Sequence, residues 1–273
     1  MKPVIDLTKE YGLVLEGGGA KGAYQIGAWE ALREAGVRIK GIAGTSVGAL
    51  NGALMCMGDY ENAREVWENI SYSKVMDVDD DWMSQFMQGT LGMAEFFEGT
   101  FKTMKDGGMD VTPLKNLIAE HVDAQKILDS PIEFYVLTFC MDDMKELDID
   151  VKTLEPDVIP DLLMASAYIF PLFKNERLHG KMFIDGGVIN NVPLGSLVDR
   201  GYKDIIMLRI FGIGREKKVK VPEDTVIYSV EPRVDLGNII DFDAEKSKLH
   251  MRTGYYDAMR MIYGLSGSIY YID

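Results

Sequence analysis

A chain of 273 residues with 47% hydrophobic and 26% charged side chains has globular proportions and can bury a substantial core, as one large α/β domain or two small ones. The formal net charge of -14 argues against nucleic-acid binding and sets up a long-range repulsion from anionic membrane surfaces. No apolar run reaches 18 residues and the first ten residues lack the hydrophobic stretch of a secretory signal, so a cytoplasmic protein without a spanning helix is expected.

Residues 11–15 form a compact apolar run that predicts a strand, followed at once by the glycine loop Gly17-Gly18-Gly19-Ala20-Lys21-Gly22. Ile26, Trp29 and Leu32 then recur at helical spacing over residues 23–35, and the pattern stops at Gly36. A second short strand, over residues 40–43, leads into Gly44-Thr45-Ser46-Val47-Gly48 and a helix over residues 49–57. Two strand–loop–helix units in succession predict a mainly parallel central sheet with helices on both faces.

The glycine loop satisfies G-x-G-x-x-G through Gly17, Gly19 and Gly22. A dinucleotide site also needs an acidic residue at the end of the next strand, and that strand ends in Gly44-Thr45-Ser46 instead. Phosphate-loop spacing fails too, because Lys21 precedes Gly22 and Ala23 follows it. The loop therefore reads as an anion hole built from convergent backbone amides. Gly44-Thr45-Ser46-Val47-Gly48 has the form of a nucleophile elbow: the glycines permit a sharp turn, and the Ser46 hydroxyl is left at a helix N-terminus that favours developing negative charge.

Residues 60–70 predict another helix, after which the composition changes. Between residues 71 and 110, methionine and phenylalanine crowd a stretch interrupted by Gly89, Gly92 and Gly99, which reads either as a helical cap suited to acyl chains or as ordinary core. Helices are expected over residues 112–121 and 123–128, and a strand over 131–139 that pairs as a hairpin with 145–151. A helix over 157–166 and a second hairpin, residues 172–173 with 181–184, lead to Asp185-Gly186-Gly187 at a strand end, the edge on which open α/β sheets place ligands. Asn190-Asn191-Val192-Pro193 opens a helix to about residue 200; strands over 203–211 and 225–230 and an amphipathic helix over 241–263 complete the chain.

A serine needs a base. His250 follows Asp185, as the order Ser, Asp, His requires, but it lies inside the tail helix between Leu249 and Met251; the alternative is that Asp185 itself accepts the proton. His121, His179 and His250 are scattered without metal-ligand spacing, so no metal is expected, and Cys56 and Cys140 read as reduced, buried thiols.

Glycine loop, G-x-S-x-G and D-G-G in this order resemble the patatin-like phospholipase family, over about residues 11–200. Ala165-Ser166-Ala167 before Phe170-Pro171, and Asn190-Asn191-Val192-Pro193, are also similar to family features. Lys21 stands where arginine is frequent, and Tyr168-Ile169 replaces a smaller, glycine-containing link. The resemblance implies a three-layer α/β fold; residues 71–110, read from their composition as a cap insertion, match nothing in the family, and residues 201–273 are expected as an extension completing the same globule. It implies Ser46 as nucleophile, Asp185 as base, and Gly17, Gly18 and Gly19 at the oxyanion hole, to which the Val47 amide, next after the serine, is expected to add. It further implies hydrolysis of phospholipid or glycerolipid acyl esters without metal or organic cofactor; transient contact with a membrane surface is an expectation of the Met/Phe-rich stretch alone, and the net charge opposes it. Two other readings remain open here: a lipid-binding protein that keeps the fold without turnover, and a dinucleotide-dependent oxidoreductase.

Overall fold

The computed structural model describes residues 3–90 and 108–265. The first two units are β1 (Glu10–Leu15), α1 (Ala23–Glu34), β2 (Arg38–Thr45) and α2 (Val47–Met57). The helices α3 (Tyr60–Glu68), α4 (Tyr72–Val75), α5 (Asp80–Met87), α6 (Thr112–His121) and α7 (Ala124–Asp129) precede the strands β3 (Glu133–Cys140) and β4 (Lys145–Asp150). Then come α8 (Ile159–Ala167), the hairpin β5 (Arg177–Leu178) and β6 (Lys181–Asp185), and the short helices α9 (Gly187–Asn190) and α10 (Leu194–Val198). Strands β7 (Asp204–Leu208) and β8 (Val226–Val230) and the long helix α11 (Ala244–Tyr263) follow.

Among the described residues the strands form one sheet in the order β5-β6-β3-β2-β1-β7-β8, with β4 also paired to β3. Strands β1, β2, β3, β7 and β8 are parallel, whereas β4 and β6 run antiparallel to β3. The sheet is thus mixed, a parallel body with antiparallel additions at one side. Alternation along each strand divides the core between the two faces. Leu13, Leu15, Ile42, Phe134 and Val136 join one apolar cluster with residues of α1, α2, α8 and α11; Val14, Ala43, Tyr135 and Ile205 meet Leu197 and Val198 of α10 in the other. Helices on both faces of the sheet make three layers.

One detail of register positions everything functional. Strand β2 pairs with Glu133 to Leu137 of β3, and β6 pairs with Thr138 to Cys140. Because β4 runs along Tyr135 to Cys140, it takes one edge of β3, and β2 and β6 must share the other. They end nose to nose: Thr45 is the partner of Leu137 and Asp185 is the partner of Thr138, the next residue.

Some boundaries differ from the sequence reading. The strand that pairs with β6 is Arg177–Leu178, not residues 172–173; Phe173 forms a parallel bridge with Met109 instead. Pro156 opens a short 3-10 turn, so α8 begins at Ile159, with Pro160 in its first turn. In the methionine-rich stretch, Met76 and Met83 are fully buried and belong to the main core, and residues 91–107 of the expected cap lie outside the described residues. No helix among the described residues is long and apolar enough to cross a membrane.

Helix α11 lies directly on α1. A Cβ on Gly27 would stand 1.7 Å from the Met251 carbonyl oxygen, and one on Gly254 would stand 1.9 Å from that of Tyr24, so the two backbones touch at this crossing. The Tyr24 hydroxyl donates to Asp257 at 3.0 Å beside it. A methyl group here can be admitted only by separating the helices. Gly254→Ala should therefore lower stability by about 1–3 kcal/mol or more, read as a lower urea midpoint with an unchanged slope.

Candidate active site

Ser46 joins β2 to α2 with φ 56° and ψ -129°, a left-handed backbone that a residue with a side chain adopts only under strain. The strain is held by its neighbours. The Ser46 N–H donates to Ser166 Oγ at 2.9 Å, and that hydroxyl donates to the Leu137 carbonyl at 2.6 Å. Thr45 Oγ1 donates to the Asn190 carbonyl at 3.1 Å, and the Ser46 carbonyl receives the amides of Ala49 and Leu50. Gly44, next to last in β2, admits the Gly48 carbonyl, and Gly48 lets α2 rest on β1: a Cβ there would lie 2.3 Å from the Leu15 oxygen.

Asp185 ends β6. One carboxylate oxygen accepts the Gly187 N–H at 2.7 Å, across the turn at Gly186, and the carboxylate lines the same recess as Ser46. Ser46 is 5% exposed and Asp185 is 7% exposed. Burial raises the Asp185 pKa to about 6, against the opposing pull of the Ser46 hydroxyl and the Gly187 amide. None of the three histidines contacts this carboxylate: His121 pairs with Asn62, His179 with Asp161, and His250 is buried in α11 near Ala20 and Lys21.

The glycine loop crosses β1 into α1 as a 3-10 turn over Gly19–Gly22. Gly19 has φ +54°, and its α-carbon faces the Ile239 carbonyl so closely that a Cβ would be 2.1 Å away. The loop amides do not all point to one place. Gly17, expected among the oxyanion donors, gives its N–H to the Asn191 carbonyl at 3.1 Å; Ala20 donates to Ile239 at 2.7 Å and Lys21 to Gly18 at 3.3 Å. The amides of Gly18, Gly19 and Val47 have no acceptor among the described residues, the last because it opens α2. Gly18 and Gly19 line a recess together with Ser46, Asp185 and Gly187. The Lys21 ammonium turns away to the Phe211 carbonyl at 3.0 Å, and Gly22 packs under Val47.

Two residues that sequence reasoning did not single out as site residues hold this loop. The Glu16 side chain, 3% exposed, accepts the amides of Ile210, Phe211 and Gly212 at 2.8, 3.1 and 3.2 Å and pairs with Arg209 at 3.0 Å. Asn191 brackets Gly17, accepting its N–H and donating Nδ2 to its carbonyl at 2.9 Å. An acid placed between an apolar strand and three glycines was the available signal for Glu16, since a buried carboxylate must find donors.

Behind Ser46 opens a second, narrow apolar cavity of about 80 Å³, lined by Val47, Leu50, Leu54, Trp67, Leu114 and Ile118 among others. Around the recess in front of Ser46, Phe170, Val188 and Ile213 are 60%, 42% and 79% exposed.

A three-layer α/β sheet carrying a strained, buried serine against a buried carboxylate, beside a loop of unsatisfied amides and an apolar cavity, defines a class of lipid-handling proteins. A model of that class, the patatin-like phospholipase family, matches residues 13–198, and the chain belongs to this family. Neuropathy target esterase sws of Drosophila melanogaster is 28% identical over 207 residues, covering 73% of this chain and 13% of that protein. Its counterpart in Drosophila grimshawi is 30% identical over 190 residues, covering 67% and 11%. The chain therefore spans a small fraction of the length of these relatives. VipD from Legionella pneumophila shares the fold, with a TM-score of 0.54 at 14% identity over 92% of this chain and 66% of that one.

The raised Asp185 pKa has a consequence for stability. The folded state holds this proton more tightly than the unfolded chain, so the contribution is fully present below the unfolded value of 3.8 and is lost as pH rises through about 6. Asp185→Asn removes that loss. It should be more stable than the wild type at pH 8 by up to about 3 kcal/mol, with the gap closing as pH falls toward 4, read from urea midpoints at each pH.

Proposed function

We propose that this chain is a serine acyl-ester hydrolase acting on phospholipid or glycerolipid esters through Ser46 and Asp185. One observation carries the reading: Ser46 shares a recess with a buried carboxylate whose proton affinity burial raises into the range of a useful base. Family membership supports the reaction class, and the apolar cavity beside Ser46 supports an acyl chain as the recognised group.

In this reading Ser46 Oγ attacks the ester carbonyl as its proton passes to Asp185. The resulting oxyanion is held by the amides of Gly18, Gly19 and Val47, with the N-terminus of α2 adding its dipole. Collapse of the tetrahedral adduct expels the alcohol, which takes the proton from Asp185. Water then gives its proton to Asp185 and attacks the acyl-serine; the second collapse frees the fatty acid and returns the proton to Ser46. No further group is required for this balance. Removing one oxyanion donor in other hydrolases costs about 2.7–4 kcal/mol, so two or three such amides supply much of the barrier reduction.

The exposed Phe170, Val188 and Ile213 around the recess support transient contact with a lipid surface, and the exposed basic residues Arg215, Lys218 and Lys220 lie just beyond Ile213. They offset, locally, the repulsion due to the net charge. Wild type should be recovered with zwitterionic vesicles containing some anionic lipid in a flotation assay, and Ile213→Asp should reduce that recovery; equal recovery of the two proteins would remove the rim from the reading.

Ser46→Ala and Asp185→Asn should each lower hydrolysis of a p-nitrophenyl acyl ester by at least about 1,000-fold, and a fluorophosphonate should label wild type but not Ser46→Ala. Because the base must be ionised, kcat/KM should fall below a pH of about 6 along a single acid limb. Wild-type turnover in either variant would rule out the pair, and an unlabelled wild type would leave a lipid-binding protein without turnover.

A further inference from the structure

The apolar cavity behind Ser46 runs between two helices. Helix α2 lines it with Val47, Leu50 and Leu54, and helix α6 with Leu114, Ile118 and His121, in each case one face at helical spacing. The two stripes run the same way. At the start, Phe173 and Ile169 connect the beginning of α6 to the Ser46 end, because Phe173 bridges Met109 and Ile169 lines both the cavity and the Ser46–Asp185 recess. At the finish, the Asp123 amide, two residues past α6, meets the sulfur of Met57, the last residue of α2, at 3.4 Å. From Ser46 to Leu54 the path is eight residues of helix, about 12 Å at ~1.5 Å per residue.

Polar clamps and a shared wall stand at the end of α6. His121 Nδ1 and Asn62 Oδ1 are 2.7 Å apart, and Asn62 Nδ2 donates to the His121 carbonyl at 2.9 Å, which fastens the end of α6 to the first turn of α3. Val66, Leu117 and His121 line the apolar cavity on one side and, on the other, an outer recess whose walls include Glu65, Asn69, Lys74 and Glu120. These three side chains are the partition between an apolar interior and a polar surface hollow.

We propose that Val66, Leu117 and His121 form a stop that sets the length of acyl chain the protein accepts, at about eight to ten carbons; this rests on Ser46 being the nucleophile. An extended chain advances ~1.3 Å per methylene, given a C–C bond of ~1.5 Å, so a path of about 12 Å takes roughly nine. Up to the stop, each methylene that finds apolar wall improves kcat/KM by about fourfold. Past it, a methylene meets the Asn62–His121 pair or the polar recess and gains nothing.

The test is a series of p-nitrophenyl esters, butyrate, octanoate, decanoate and palmitate, with wild type, Leu117→Ala and Leu117→Trp. Leu117 is half-buried, and ratios between esters are independent of how much of each variant is folded. Wild type should peak at octanoate or decanoate. Leu117→Ala opens the wall into the outer recess and should raise the palmitate-to-octanoate ratio of kcat/KM by about tenfold or more. Leu117→Trp fills the channel and should move the optimum toward butyrate. Fluorophosphonate labelling of each protein separates the two levels: labelled variants whose ester ratios match wild type would overturn the stop alone, whereas an unlabelled wild type would remove the nucleophile and the stop together.

Discussion

The constraint on which the structure depends is the sharing of one strand edge. A parallel strand, β2, and an antiparallel strand, β6, divide the free edge of β3 between them and meet at adjacent residues, Leu137 and Thr138. Side chains leaving the two ends are brought together from opposite directions, and Ser46 and Asp185 are what stand there. Slipping either pairing by one residue would exchange the faces on which its side chains emerge. The proximity of serine and carboxylate is thus a property of backbone hydrogen bonding across three strands rather than of a loop that happens to fold over.

Around that meeting point the protein accepts two unfavourable arrangements. Ser46 is held in a strained backbone, and Asp185 is buried with no cation paired to it among the described residues. Each is maintained by neighbours that have little freedom: Ser166 bridges the Ser46 amide to β3, and Gly187 turns its N–H onto the carboxylate. The glycine loop is treated in the same way by Glu16, which gathers three amides beyond β7 and a guanidinium under the first glycines. A buried carboxylate with that many donors ties β1 to the segment after β7 more firmly than apolar contact would.

Much of this was legible in the sequence where the signal is local. Continuous apolar runs ended by glycine marked β1 and β2, and helical spacing marked α1 and α11, because strand, turn and helix preferences act over a few residues. The placing of β6 end to end with β2 was not legible, since it depends on β3 pairing along one edge with two segments distant in the chain, one before it and one after. The second hairpin was misplaced for a related reason: Leu172 and Phe173 look like a strand in isolation, but Phe173 is drawn to Met109. The loop amides show the same limit. Glycine content revealed that N–H groups would be exposed, yet only the fold brings the carbonyls of Asn191 and Ile239 to Gly17 and Ala20. The methionines at positions 76 and 83, in a stretch that read either as an acyl-chain cap or as core, are core.

Asn191 sits six residues after Asp185 and embraces Gly17 through both its backbone and its side chain, while its own amide is held by the Arg215 carbonyl. The turn carrying the carboxylate and the loop carrying the unsatisfied amides are consequently one rigid frame with a fixed gauge. A ligand entering between them finds the spacing already set, and has no ordering entropy to supply there. Discrimination among ligands is then left to the parts of the molecule that this frame does not reach.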